Sequence, residues 1–217
     1  MDSVNRDIIL DTFDDLLKRE KIIYGETESI FYKDGNFLFQ FRVCPSLLRK
    51  PRLQDASEHN QSDTFGPGSD LEFGDQKLLT AAVNGTHHLI INKFCVFRPQ
   101  YVLLTMDSYR RQDEPVDLDD FQALINISKR LQGPHYALYN CMEPAGSSRM
   151  HKHLQVFEVP QDFSLFPDRA REDAAKAPYR YFLEYFSSKS PTALEVLKGR
   201  YLHINRYLSP FFKDEFK

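Results

Sequence analysis

The sequence has few cysteines, no long apolar run and no large excess of charge of either sign. Its three cysteines, Cys44, Cys95 and Cys141, are widely spaced and form no C-x-x-C pair, which argues against a structural zinc site and is typical of a reducing compartment. No segment approaches the roughly 18 consecutive apolar residues of a membrane-spanning helix. The N-terminus has neither the basic nor the apolar region of a signal peptide, so we expect a cytoplasmic protein, with the nucleus as the alternative.

The balance of charge and apolar residues excludes several classes of protein. The 28 basic and 31 acidic residues leave a formal net charge of −3, so no basic field coats the surface. We therefore expect neither a nucleic-acid partner nor a membrane partner. Apolar residues make up 41% of the 217 residues and aromatic residues 13%, which is enough for a sizeable core and excludes a disordered chain. We expect a single domain over residues 1–217.

Apolar periodicity predicts an α+β fold with a mainly antiparallel sheet flanked by helices. The predicted helices cover residues 4–20 and 117–131, and the predicted strands cover residues 30–43 (a hairpin around Asp34-Gly35), 88–97, 101–106, 136–140 and 151–159. Residues 45–75 are rich in Gly, Pro, Ser and Asp and predict a long loop, which in compact domains is often functional. Residues 187–217 are expected to form a C-terminal helical extension.

One segment combines residues that carry chemistry. If residues 151–156 form a strand, its period of two places His151, His153 and Gln155 on one face. The other face then carries Lys152, Leu154 and Val156, and the two aliphatic side chains are expected to pack into the core. Gly146, Ser147 and Ser148 come just before this strand and offer backbone N–H groups and two hydroxyls in a turn, and Arg149 adds a positive charge.

This arrangement is suited to attack on phosphorus. A neutral imidazole is a good nucleophile near pH 7, and a phosphoramidate intermediate divides one difficult displacement into two easier ones. Two other interpretations stay open. His-x-His on a strand is also a spacing of metal ligands, although the third position is Gln, a poor ligand, and no acidic residue follows in the strand before Glu158. The histidines are otherwise structural residues on a polar sheet face.

The string G-S-S-x-x-H-K-H-L-Q closely resembles the signature of the transferase branch of the histidine-triad superfamily, and within it that of the fungal diadenosine tetraphosphate phosphorylases, or ATP adenylyltransferases. Residues 45–51, 89–94 and 101–105 resemble other segments of that family in the same order, and so does Asn140. The similarity spans about residues 28–165 and implies a histidine-triad-like domain.

The resemblance implies roles for individual residues. His153 matches the nucleophile that forms a covalent adenylyl intermediate, and His151 matches the histidine that orients the site. Gln155 matches the position that contacts the transferred phosphate and that is a third histidine in the hydrolase branch. The remaining matches are to substrate-binding positions: Gly146, Ser147, Ser148 and Arg149 on the polyphosphate loop, Asn92, Lys93 and Asn140 at the nucleotide, and Lys50 on the long loop.

The implied activity is phosphorolysis of diadenosine tetraphosphate to ATP and ADP with inorganic phosphate as acceptor. A dinucleoside polyphosphate hydrolase and a catalytically weak nucleotide-binding protein are the alternatives. Mg²⁺ is expected to arrive on the substrate's phosphates and not in a protein cage. The family continues past the position of Tyr207 with a further segment, so we expect part of the second nucleotide's surface to be missing from these residues. Edge-to-edge pairing in a homodimer is one way to cover an open sheet edge.

Overall fold

The computed structural model describes residues 4–50, 65–71, 74–166, 168, 177–181 and 183. The chain divides into two compact units, one of Met1–Tyr32 with Phe39–Phe163 and the other of Lys33–Leu38 with Ser164–Lys217. The first unit carries all the site residues that the sequence predicts. The predicted single domain stays a prediction, and the predicted helical extension over residues 187–217 lies outside the described residues.

Two α-helices and seven strands have their full bounds among the described residues, and short 3₁₀ helices lie between them. The helices are α1 (Arg6–Lys18) and α2 (Leu118–Arg130), and the strands are β1 (Glu28–Asp34), β2 (Phe37–Val43), β3 (Leu79–Val83), β4 (His87–Ile91), β5 (Gln100–Thr105), β6 (His135–Leu138) and β7 (His153–Glu158). The strands β1 and β2 form a two-stranded sheet, and the other five form one sheet in the order β3-β4-β5-β7-β6. Every neighbouring pair in that larger sheet is antiparallel, which confirms the predicted α+β fold with a mainly antiparallel sheet.

Both helices begin at residues that satisfy their free N–H groups. The Asn5 side chain accepts hydrogen bonds from the first turn of α1, and the Asp117 side chain does the same for α2. In α2 the Asp120 side chain also accepts from the Asp117 backbone N–H, which completes a capping box. These caps fix where the helices start, so the predicted and observed helices agree to within about two residues.

The middle strands of the sheet, β4, β5 and β7, are buried on both faces. On one face Leu89, Leu103 and Leu154 lie directly opposite one another on β4, β5 and β7, and they pack with the apolar stripes of α1 and α2. On the other face Val102 and Leu104 pack with Phe65 from the long loop. Leu104 is opposite His153, and Val102 is opposite Gln155. The predicted alternation along β7 is therefore present, with His153 and Gln155 on the second face.

The secondary structure differs from the sequence prediction in three places: one strand was not predicted, and two predicted strands have other bounds. The sequence missed β3, where small residues and a register shift between Leu79 and Ala81 weaken the alternation. The strand predicted over residues 88–97 ends at Ile91, because the Asn92 side chain accepts from Phe94 N and turns the chain. The strand predicted from residue 151 begins at His153, and residues before it pair with the segment around Arg111 instead.

The long loop predicted over residues 45–75 contains ordered structure. It begins with a 3₁₀ helix, Pro45–Arg49, and residues 65–71 pack on the second face of the sheet. Among the described residues no helix is both long enough and apolar enough to cross a membrane.

Candidate active site

His153 stands at the start of β7 with its imidazole almost fully buried. Its Nδ1 lies 2.8 Å from the backbone carbonyl oxygen of His151. A carbonyl oxygen only accepts hydrogen bonds, so Nδ1 carries the proton and Nε2 holds a lone pair when the ring is neutral. No hydrogen bond joins Nε2 to any of the described residues. The geometry thus leaves one ring nitrogen available as a nucleophile or a ligand.

The surroundings of His153 favour its neutral form. Burial lowers the pKa of the imidazole, and the positive charges of Lys50 and Arg149 lower it further, while the hydrogen bond to His151 and the charge of Asp70 act in the opposite direction. The net effect is a pKa below the ordinary value of histidine. The pKa of Lys50 is lowered mainly by burial and in addition by the positive charge of Arg149, so the two cations lie near each other. The structure therefore brings Lys50 to the histidine motif across about a hundred residues of sequence.

His151 is fully buried, and both of its ring nitrogens are occupied. Its Nε2 lies 3.2 Å from the carbonyl oxygen of Asp107 and 3.0 Å from the hydroxyl oxygen of Thr105, so Nε2 carries the proton. Its Nδ1 accepts a hydrogen bond from the Ser69 hydroxyl at 2.8 Å. Burial lowers the pKa of His151 to about 4, which keeps the ring neutral. A ring enclosed in this way orients its neighbours and does not contact a ligand.

Gln155 is half-buried two residues beyond His153 and is held by another glutamine. Its Oε1 accepts a hydrogen bond from Nε2 of Gln100 at 3.0 Å. Gln100 also accepts from Val96 N through its side chain and from Asn92 N through its backbone, and so connects Gln155 to the turn that follows β4. The sequence does not predict this link through Gln100, because a single glutamine in a strand carries no signal of a role.

Asn92 and Lys93 both lie in that turn. The Asn92 side chain caps the turn through Phe94 N, and the carbonyl of Lys93 accepts a hydrogen bond from Ile23 N at 2.7 Å. In the register of the sheet Ile91 is opposite Tyr101, and Tyr101 is opposite Val156, so the pair follows β4 at the level of the Gln155 end of β7.

The loop of residues 146–149 is a tight turn after the 3₁₀ helix Glu143–Ala145. Gly146 has a φ of 92°, in the left-handed region that glycine tolerates, and its N–H donates to the Glu143 carbonyl. Ser147 N–H donates to the Met142 carbonyl, and its hydroxyl donates to the Arg149 carbonyl at 2.9 Å. These two residues build the turn. Ser148 keeps its amide and hydroxyl donors without partners among the described residues, so it is the member of the loop best placed to contact an anion.

Asn140 borders the same loop. A β-carbon added at Gly146 would lie 3.4 Å from Asn140 Nδ2, so the amide is next to the turn. The Asn140 carbonyl accepts a hydrogen bond from the Gln112 side chain at 3.0 Å. A cavity of about 260 Å³ borders the loop, and its lining includes Ser147 and Arg149. This is below the roughly 300–1,000 Å³ of pockets that enclose a whole drug-sized ligand, so it has room for part of a nucleotide.

Gln112 is a buried residue that the sequence analysis missed. Its side-chain amide accepts from His153 N at 2.8 Å and donates to the His153 carbonyl at 3.0 Å, as a neighbouring strand would. It also joins Asn140 to β7 through the contact described above. The polar stretch around Gln112 has no apolar periodicity, and nothing in the sequence indicates that its amide completes the sheet at the motif.

A charged cluster lies behind the motif. Lys152 is fully buried, and its Nζ lies 2.7 Å from Oδ2 of Asp120, at the start of α2. The other carboxylate oxygen of Asp120 lies 3.0 Å from Nε2 of His87. Lys152 Nζ also donates to the Pro115 carbonyl at 2.8 Å. The residue between the two histidines is therefore fixed from the opposite face by an ion pair, where the sequence predicted only that it shares that face with the core.

The described residues contain no group of three or more His, Cys, Asp or Glu side chains placed to hold a metal ion. Together the fold and the site define an α+β protein in which a buried, oriented imidazole lies within reach of the positive charges of Lys50 and Arg149. Residues 8–167 match the family model of the Ap4A phosphorylase N-terminal domain, and the chain belongs to this family. The family resemblance of the sequence is thereby confirmed.

Two curated proteins of Saccharomyces cerevisiae are similar in sequence. Diadenosine 5′,5‴-P1,P4-tetraphosphate phosphorylase 2 is 30% identical over 162 residues, which are 68% of this chain and 47% of that protein. Protein APA1 is 28% identical over 174 residues, which are 75% of this chain and 51% of that protein. The chain spans about half the length of these relatives.

Solved structures share the fold. The crystal structure of yeast Ap4A phosphorylase Apa2 in complex with Ap4A matches with a TM-score of 0.69 and 21% identity over 98% of this chain and 76% of that chain. The same protein in complex with AMP matches with a TM-score of 0.68 and 22% identity over 99% of this chain and 74% of that chain.

Proposed function

We propose that this chain is a nucleotidyltransferase that cleaves diadenosine tetraphosphate with inorganic phosphate, giving ATP and ADP through an adenylyl intermediate on His153. The observation that carries this proposal is the hydrogen bond from His153 Nδ1 to the His151 carbonyl, which leaves Nε2 unprotonated, with the positive charges of Lys50 and Arg149 nearby. Membership of the Ap4A phosphorylase family and the two yeast relatives support the choice of substrate.

The proposed reaction has two displacements. In the first, Nε2 of His153 attacks the α-phosphorus of one adenosine, the P–N bond forms, and the bond to the bridging oxygen breaks and releases ATP. In the second, a phosphate oxygen attacks the same phosphorus, the P–N bond breaks, and ADP leaves with His153 neutral again. The positive charge that the ring acquires in the intermediate is stabilised by the His151 carbonyl, which already accepts from Nδ1.

Charge on the phosphate oxygens is met by groups that are in place before the reaction. Lys50 and Arg149 supply positive charge next to His153, and Ser148 supplies an amide and a hydroxyl donor. Preorganised donors of this kind are often the largest single contribution to catalysis of phosphoryl transfer. Mg²⁺ would accompany the phosphates of the substrate and neutralise part of their charge.

Gln155 determines whether phosphate or water accepts the adenylyl group in this proposal. An amide held by Gln100 donates and accepts hydrogen bonds but does not titrate, so it orients the transferred phosphate without serving as a base for water. Incubation with diadenosine tetraphosphate, with and without inorganic phosphate, followed by chromatography of the nucleotides, tests the proposal. We expect ATP and ADP only when phosphate is present. Steady release of AMP that does not depend on phosphate would show a hydrolase instead.

A further inference from the structure

The long loop makes contacts with the histidine motif that neither the motif nor the family match assigns to it. The Asp70 carboxylate accepts two hydrogen bonds from consecutive backbone N–H groups, Met150 N at 2.7 Å and His151 N at 3.0 Å. The neighbouring Ser69 hydroxyl donates to Nδ1 of His151 at 2.8 Å. Two adjacent side chains therefore hold the backbone and the ring of one residue, across about eighty residues of sequence.

This loop segment is seated firmly enough to act in that way. A β-carbon on Gly68 would lie 2.5 Å from the Ser108 carbonyl oxygen, so only glycine allows the segment to approach so closely. Gly68 N also donates to the Ser108 hydroxyl at 3.2 Å. Phe65 is buried against Val102 and Leu104, the residues opposite Gln155 and His153. The segment is thus packed on the face of the sheet that carries the site.

Ser69 and Asp70 form a clamp on His151, and this clamp acts on His153 through the backbone. The N–H of His151 is held by Asp70, and the carbonyl of the same residue accepts the hydrogen bond from His153 Nδ1. A shift of this residue would turn the carbonyl away from Nδ1 and release the imidazole of His153. We propose that Asp70 and Ser69 are positioning residues, which orient the His153 imidazole for attack by fixing the backbone and ring of His151.

The charge of Asp70 gives the clamp a signature that packing alone would not have. The charged groups that act on His153 are Lys50 and Arg149, which disfavour its protonated form, and Asp70, which favours it; His151 itself is neutral. Removing the carboxylate therefore lowers the pKa of His153 as well as loosening its orientation. The same change leaves the pocket more positive, so binding of an anionic nucleotide is retained or strengthened while the rate falls.

The test combines Asp70→Asn with imidazole ¹⁵N NMR. In the wild type we expect His153 to be protonated on Nδ1 and His151 on Nε2. In Asp70→Asn we expect a lower titration midpoint for His153 and a mixture of its two tautomers. Ser69→Ala should leave the midpoint of His153 nearly unchanged and shift the ¹⁵N resonance of His151 Nδ1, which loses its hydrogen-bond donor. Asp34→Asn, which removes an exposed carboxylate from the β1–β2 hairpin, is the matched control and should change neither.

Kinetics supply the second measurement, and this part rests on the proposed function. For Asp70→Asn we expect the first-turnover rate of adenylation to fall about 10- to 100-fold, the size of one lost hydrogen bond to a charged group, with the affinity for AMP by calorimetry retained. Asp70→Glu keeps the charge and should recover part of the rate. An unchanged tautomer and midpoint in a folded Asp70→Asn protein would overturn the clamp. If the wild type forms no adenylate but the variants show the expected NMR changes, the proposed function is overturned and the positioning role of Asp70 and Ser69 stands.

Discussion

The backbone carbonyl of His151 accepts a hydrogen bond of 2.8 Å from Nδ1 of His153. This contact decides the chemistry of the motif, because it fixes which nitrogen of His153 is free. The alternation of a strand places the two rings on one side, but here they have different environments. The ring of His151 is enclosed by Ser69, Thr105 and the Asp107 carbonyl, whereas Nε2 of His153 has no partner within the described part of the chain.

Replacement of the two histidines should therefore have unequal effects. His153→Ala removes the proposed nucleophile and should abolish turnover. His151→Ala should leave measurable activity, reduced by about 2–4 kcal/mol of transition-state stabilisation, because it loses positioning contacts only. Initial rates of ATP release measure both. His135→Ala, on the edge strand β6, is the matched control and should retain activity. Equal losses for the two motif histidines would contradict the division of roles.

Replacement of Gln155 by histidine should change the acceptor. An imidazole at this position can take a proton from water, so Gln155→His is expected to raise the ratio of AMP to ADP among the products while nucleotide binding is retained. The ratio is read by chromatography at a fixed phosphate concentration. Gln155→Asn, which keeps an amide, serves as the control and should not raise it. If both variants release the same small fraction of AMP, the choice of acceptor does not depend on residue 155.

The buried pair of Lys152 and Asp120 should be costly to break on one side. Lys152→Met leaves the Asp120 carboxylate buried without its cation and should reduce the free energy of unfolding by about 3–5 kcal/mol. The double variant Lys152→Met, Asp120→Asn removes both charges while an amide oxygen stays available to the Asp117 N–H, and it should be more stable than the single variant. Urea denaturation measures each, with the exposed Lys18→Met as the control. A single variant as stable as the wild type would show that the pair contributes nothing.

Stability should depend on pH through His151. Its pKa is about 4 in the folded protein and about 6.5 in the unfolded chain. Between these values the unfolded state binds more protons, so the free energy of unfolding rises with pH in this window. As pH falls from about 6.5 to 4, the contribution of His151 to stability decreases by up to about 3 kcal/mol. Urea denaturation at pH 7 and pH 4.5 measures the difference. A His151→Gln variant should show a smaller difference between the two pH values, and an equal one would contradict the assignment.

A change at Gly68 should displace the clamp without touching the histidines. Gly68→Ala places a methyl group against the Ser108 backbone, so we expect the segment of residues 65–71 to move and Ser69 to leave Nδ1 of His151. Activity should fall, and the ¹⁵N resonance of His151 Nδ1 should shift because it loses the Ser69 donor. Gly74→Ala, at a position with open space around it, is the control and should alter neither. Wild-type activity in Gly68→Ala would show that this close approach is dispensable.

The helices and strands that were predicted correctly have signals in their own residues, such as capping side chains and a regular apolar period. The capping residue Asp117 and the basic residues at the end of α2 identified that helix, and the period of two placed Leu154 and Val156 in the core. The missed strand β3 had a signal, since Asn84-Gly85 is a typical hairpin turn and both residues have positive φ. Its small side chains and register shift hid the alternation that normally accompanies such a turn.

The sequence predicted only those parts of the site whose residues lie close together in the chain. The spacing of His151, His153 and Gln155 is visible in five residues, but the partners that orient them come from elsewhere in the chain. Ser69 and Gln112 lie 82 and 41 residues from the histidines that they contact. A hydrogen bond between such distant residues depends on the complete fold, and it leaves no pattern in the sequence near either partner.

The most direct test of the central claim is mass spectrometry of the protein quenched after mixing with diadenosine tetraphosphate in the absence of phosphate. We expect one adenylyl group per chain, mapped to His153, which disappears when phosphate is added and is absent from His153→Ala. An adenylyl group on His151 or on Lys50, or one that persists in His153→Ala, would contradict the assignment of His153 as the nucleophile.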